Sequence, residues 1–133
     1  MLSRKKIISV FILIFIFSAN SAFAQASKWV GNWSEVWGAG QETDVSYHDT
    51  FRIDVDAAGN ITITCTNRDN YRFENIHLQR KVLTFMVVNT TGNDHLPYML
   101  KINRKGDRLT GTAISIRGDE TNIIWNRIHD PEL

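Results

Sequence analysis

The 133-residue chain is poor in the features that most quickly betray a protein's class. It has one cysteine, Cys65, so no intrachain disulfide can form in any compartment. Its two prolines and eight glycines do not cluster, which excludes collagen-like and low-complexity chains and leaves no linker between domains. No internal repeat of fixed period is present. The one long apolar run, residues 7–17, is far short of the roughly 20 residues that a membrane-spanning helix needs. Charge is almost balanced, with 15 basic against 14 acidic residues, so no strongly basic or acidic partner is implied.

What the chain does have begins with an export signal. Arg4, Lys5 and Lys6 precede the apolar run, Ser18-Ala19-Asn20-Ser21 ends it, and Ala22-Phe23-Ala24 has the small-x-small form of a cleavage site. We therefore expect residues 1–24 to be a secretory signal and residues 25–133 to form one domain, periplasmic or secreted, with no membrane anchor. Removing three bases from fifteen leaves twelve against fourteen acids, a formal charge of −2. The largest basic groups left are Arg80-Lys81 and Arg104-Lys105. No nucleic-acid partner is expected from so scattered a distribution.

The remaining residues read as short strands broken by turns. Phe51, Ile53 and Val55 alternate with Arg52, Asp54 and Asp56; a turn at Gly59-Asn60 follows; Ile61, Ile63 and Cys65 then alternate with threonines. This is the period of a half-buried hairpin. Further runs are expected at residues 71–79, 82–89, 98–102, 108–116 and 121–128, with an opening strand at 29–37. In 71–79 the apolar phase slips near Asn75, as at a β-bulge. The run 82–88 is apolar on both faces except at Thr84, which calls for a cover over its outer side: a loop, or a second copy in a homodimer. Residues 89–97 read as a loop. No helical period persists after Ala24. Eight short strands with mostly tight connections predict an all-β fold, an eight-stranded antiparallel up-and-down β-barrel, because closure removes the edges that an open sheet would expose.

In such a meander the first and last strands are neighbours. Gly31-Asn32-Trp33 opens the first, Leu109-Thr110-Gly111 lies late in the chain, and Arg127 ends the last strand. A guanidinium from Arg127 could lie on the Trp33 indole as a cation–π lid over the barrel floor. These motifs resemble those of short bacterial lipocalin-like, calycin-type β-barrel domains, and in second place avidin-like barrels. The resemblance implies structural closure by Gly31, Trp33 and Arg127, and the carriage of small hydrophobic molecules. The chain departs from full-length lipocalins in lacking a C-terminal helix and a disulfide.

Candidate ligand-binding residues are Trp37, Tyr47 and Tyr98 as mouth aromatics, with Phe73 and Phe85 as lining. The same side chains would serve equally to fill the barrel. The longest irregular stretch, residues 38–49, is placed at the open end. His48, His77, His95 and His129 lack metal-site spacing, and no nucleophile motif surrounds Ser34, Ser46, Ser115 or Cys65. We expect no catalytic residue, metal or cofactor, and read Cys65 as a small buried hydrophobe. The leading expectation is an exported lipocalin-like binding protein for a small hydrophobic or aromatic molecule held in the barrel mouth. The alternative is a protein–protein module, such as an enzyme inhibitor, using Tyr47, His48, His95 and Leu96. An isomerase- or cyclase-type barrel ranks third.

Overall fold

The computed structural model describes residues 22–38 and 48–129. Eight strands follow one another: β1 (Gly31–Trp37), β2 (Thr50–Val55), β3 (Ile61–Cys65), β4 (Tyr71–Gln79), β5 (Val82–Asn89), β6 (Asp94–Ile102), β7 (Arg108–Ile114) and β8 (Glu120–Ile128). All pairings are antiparallel, in the sheet order β3-β2-β1-β8-β7-β6-β5-β4. The fold is therefore an all-β, up-and-down barrel whose first and last strands are hydrogen-bonded neighbours. It is nearly closed: β3 lies beside β4, but no ladder joins them among the described residues.

Period-two alternation directs the inner face. Trp33, Phe51 and Cys65 stand level across β1, β2 and β3, as do Phe85, Tyr98 and Ala113 across β5, β6 and β7. The core combines Trp33, Phe51, Ile53, Leu83, Phe85, Leu100, Leu109, Ile123 and Trp125, all buried. Burial of each such side chain contributes about 1.5–3 kcal/mol. In β4 the register shifts between Glu74 and His77, and Asn75 takes φ 53°. One extra residue there lets Phe73 and Ile76 both pack on the core, although they stand three apart. On β5, Val88 is buried although it lies out of phase with the inward Leu83, Phe85 and Val87, level with Arg72 and His95 on the neighbouring strands.

Several boundaries differ from expectation. The opening strand begins at Gly31 because residues 22–27 form a short helix and Trp29 sits in the turn after it, where it is buried with Ala26. The expected loop at 89–97 shrinks to a tight turn, since β6 starts at Asp94. Pro97 is tolerated in that strand because it pairs with Met86 but lies beyond the ladder to β7, which begins at Tyr98. Strand β7 stops at Ile114, and Ile116 is exposed in the following turn. Cys65 is half-buried, not buried: its thiol donates to Asn67 Oδ1 at 3.3 Å, and partial burial pushes its pKa up.

Candidate functional site

The two ends of the barrel are built differently. At one end, Trp33 and Arg127 are cross-strand partners on β1 and β8, and the guanidinium lies 4.3 Å from the indole centroid. Its nitrogens donate to three backbone carbonyls: Nε to Gly106 (2.7 Å), Nη1 to Val30 (2.6 Å) and Nη2 to Lys28 (2.9 Å). The Trp33 Nε1 donates to the Trp29 carbonyl. Arg127 thus ties the segment before β1, the β6–β7 turn and β8 together. Gly31 makes room for it, because a Cβ there would stand 2.2 Å from Arg127 Nη1. Gly111 meets a parallel demand on β7, where a Cβ would lie 1.7 Å from the Met99 carbonyl oxygen.

The opposite end holds Glu35, the one charged side chain that is buried among the described residues. It shares the inward stripe of β1 with Trp33 and Trp37, and its residue surface is 6% exposed. Its Oε2 accepts hydrogen bonds from the Trp125 indole (2.8 Å) and the Tyr98 hydroxyl (3.0 Å). Oε1 has no partner among the described residues. Burial raises the Glu35 pKa from 4.5 to about 7; the Trp125 and Tyr98 hydrogen bonds oppose the shift, and the Asp49 carboxylate adds to it. Burial, with Glu35 beside it, also holds the Tyr98 phenol neutral far above its ordinary range.

A cavity of about 270 Å³ opens above this carboxyl. Trp37, Phe51, Tyr71, Val87, Leu96 and Tyr98 form its walls, with His48 and Asp49 beside them. The rim is tied by backbone and side-chain bonds. Glu35 N–H donates to the Asp49 carbonyl, Asn67 donates to the His48 carbonyl, and Asp49 forms an ion pair with Arg68. Trp37 and Tyr98 meet at a corner, with centroids 6.1 Å apart and planes at 54°.

The expected site residues therefore separate. Trp37 and Tyr98 line the cavity, whereas Phe73 and Phe85 stand behind it. Phe85 stacks on Tyr98 at 5.1 Å, and Phe73 packs edge-on to Phe51. Tyr47 lies outside the described residues. Leu96, expected on an exposed loop, instead lines the cavity from β6. Glu35 went unremarked in the sequence; the available signal was a lone carboxylate in phase with Trp33 and Trp37.

A larger recess, about 830 Å³, lies at the Arg127 end. Lys28, Lys81, Arg104 and Lys105 converge on it from distant parts of the chain. Arg127 also borders it, but its guanidinium is already held by three carbonyls and Trp33. Among the described residues no cluster could hold a metal ion, and no helix is long and apolar enough to cross a membrane. Compared with protein-family models, curated proteins and solved structures, the chain matches none.

Proposed function

We propose that this chain is an exported, lipocalin-like binding protein that takes a small, largely apolar ligand into the mouth of its barrel. The observation that carries this reading is the cavity at the end opposite Arg127, walled by four aromatic rings, Val87 and Leu96. Ligand sites are typically concave, mostly apolar and equipped with a few convergent polar groups. Here the polar group is Glu35. The volume sets the ligand's size, because about 270 Å³ sits at the small end of the usual range, nearer a single substituted ring than a long acyl chain. The short strands and tied rim favour a preformed site, which lowers the ordering cost of binding.

The test is a fluorescence titration, with Trp37 on the cavity wall as reporter, against single-ring aromatics, short-chain apolar compounds and long fatty acids. Saturable quenching by the small compounds and none by the long chains is expected. Leu96→Trp, which fills the cavity, should abolish the response while the barrel's circular dichroism is retained. Absence of saturable binding by every small compound would overturn the proposal.

A further inference from the structure

The polar end of the ligand can be read from what surrounds Glu35. We propose that the ligand of the mouth cavity carries a protonated amine, which sits on the Glu35 carboxylate against the corner formed by Trp37 and Tyr98. This inference rests on the reading of the cavity as a ligand site and names the ligand's chemical class.

A buried carboxylate needs a compensating charge or a full set of hydrogen bonds. Both donors to Glu35 converge on Oε2; Oε1 has no hydrogen bond from the described residues and is not a buried orphan, so it faces the open cavity. The cavity walls include Glu35 and Asp49 but no lysine or arginine among the described residues. The nearby cation, Arg68, is paired with Asp49 on the rim. The site therefore has acceptor capacity and two carboxylates, with no lysine or arginine among its described wall residues. Those walls are aromatic, and ring faces attract cations within about 6 Å of their centroids. An ammonium group satisfies both demands, donating to Oε1 and lying against the rings. A carboxylate ligand would face two like charges, and an alcohol would donate one hydrogen bond without neutralising anything.

The proton count follows. The amine enters with its proton, and Glu35, when protonated, releases its own to solvent on forming the pair. Amine affinity therefore rises as pH increases through neutrality. The other groups that bear on Glu35 are Asp49 and His48 before β2, Tyr71 on β4 and Tyr98 on β6, with Arg68 behind Asp49. Burial raises Tyr71 and Tyr98 above their ordinary phenol range, so both stay neutral through this window.

Phenethylamine, 2-phenylethanol and phenylacetate share one ring and differ in the charge of the end group, and their affinities can be compared by calorimetry. We expect the amine to bind about tenfold tighter than the alcohol and the acid to bind weakest. Glu35→Gln keeps an acceptor for Trp125 and Tyr98 but loses the charge, so it should erase the amine's advantage over the alcohol. Should that variant fail to fold, the native protein gives the same answer. From about pH 5 to about pH 8 amine affinity should climb about tenfold while alcohol affinity stays flat. An alcohol that binds as tightly as the amine, or an amine whose affinity ignores pH, overturns the amine assignment and leaves the apolar site standing. Failure of all three compounds to bind overturns both.

Discussion

Glu35→Gln should change how the barrel's stability depends on pH, and the size of the change follows from the site. The Glu35 carboxyl is buried, and its pKa rises from 4.5 in the unfolded chain to about 7 in the folded one. Between those values the folded state holds a proton that the unfolded state has lost. Stability from this group is therefore complete below about pH 4.5 and declines as pH rises to about 7, beyond which the penalty is constant. Two and a half pKa units at about 1.4 kcal/mol each give a loss of about 3 kcal/mol. The amide that replaces the carboxyl cannot titrate, so the variant escapes this decline.

The assay is urea unfolding followed by circular dichroism at about pH 5, 6, 7 and 8, with stability taken from midpoint and slope. The informative quantity is the difference between variant and native protein, which should shift by about 2.5 kcal/mol in the variant's favour across that range, the rest of the loss falling below about pH 5. Asp56 and Asp107 are held below the ordinary carboxylate range by hydrogen bonds with Asn60 and Asn103. They titrate alike in both proteins and cancel in the difference. A difference that stays constant from pH 5 to pH 8 would refute the claim that burial raises the Glu35 carboxyl toward neutrality.

Two further outcomes test the closed end and the sheet. Arg127→Ala removes three hydrogen bonds to carbonyls and the contact with Trp33, and should lower unfolding stability by about 2–4 kcal/mol. Arg127→Lys should recover less than half, because an ammonium lacks the planar fork that reaches three separated carbonyls; full recovery in a urea titration would contradict this geometry. Gly111→Ala places a Cβ against the Met99 carbonyl and should cost about 2–3 kcal/mol by forcing β6 and β7 apart, whereas a melting temperature unchanged by the substitution would show that the strands do not approach so closely.

The barrel was legible because its strands state their own period. Phe51-Ile53-Val55 against Arg52-Asp54, and Ile61-Ile63-Cys65 against threonines, can bury one face only as strands. The bulge was visible as the slip between Phe73 and Ile76. Adjacency of Trp33 and Arg127 follows from chain order once a meander closes, so it required no long-range information. Other features depend on distances that sequence spacing does not carry. The convergence of Lys28, Lys81, Arg104 and Lys105 is created by turns that the fold collects at one end. The strand character of Asp94–Leu96 was masked by Pro97, whose missing donor matters only where β6 has a second neighbour. Glu35 was hidden by its flanks, since Ser34-Glu35 reads as solvated surface unless the inward phase of Trp33 and Trp37 is extended through it.

The chemistry of the two ends explains why a charge is kept inside such a barrel. At the Arg127 end every polar atom of the guanidinium points at a carbonyl or lies on an indole, so a part-buried charge there adds to stability. At the mouth the opposite holds: the Glu35 carboxyl has two donors on one oxygen and, among the described residues, none on the other, and its ionisation opposes folding at neutral pH. A glutamine at that position would remove the penalty and keep an acceptor for the Tyr98 hydroxyl and the Trp125 indole, whereas an apolar side chain would orphan both donors. A destabilising carboxylate that borders the cavity, rather than lying in the filled core below it, is explained by a role that core filling does not require. A cation that entered the cavity and paired with Oε1 would offset that cost. The same atom therefore links the pH dependence of folding to the pH dependence of binding, and a ligand that stabilises the carboxylate should flatten the decline in stability that the empty barrel shows.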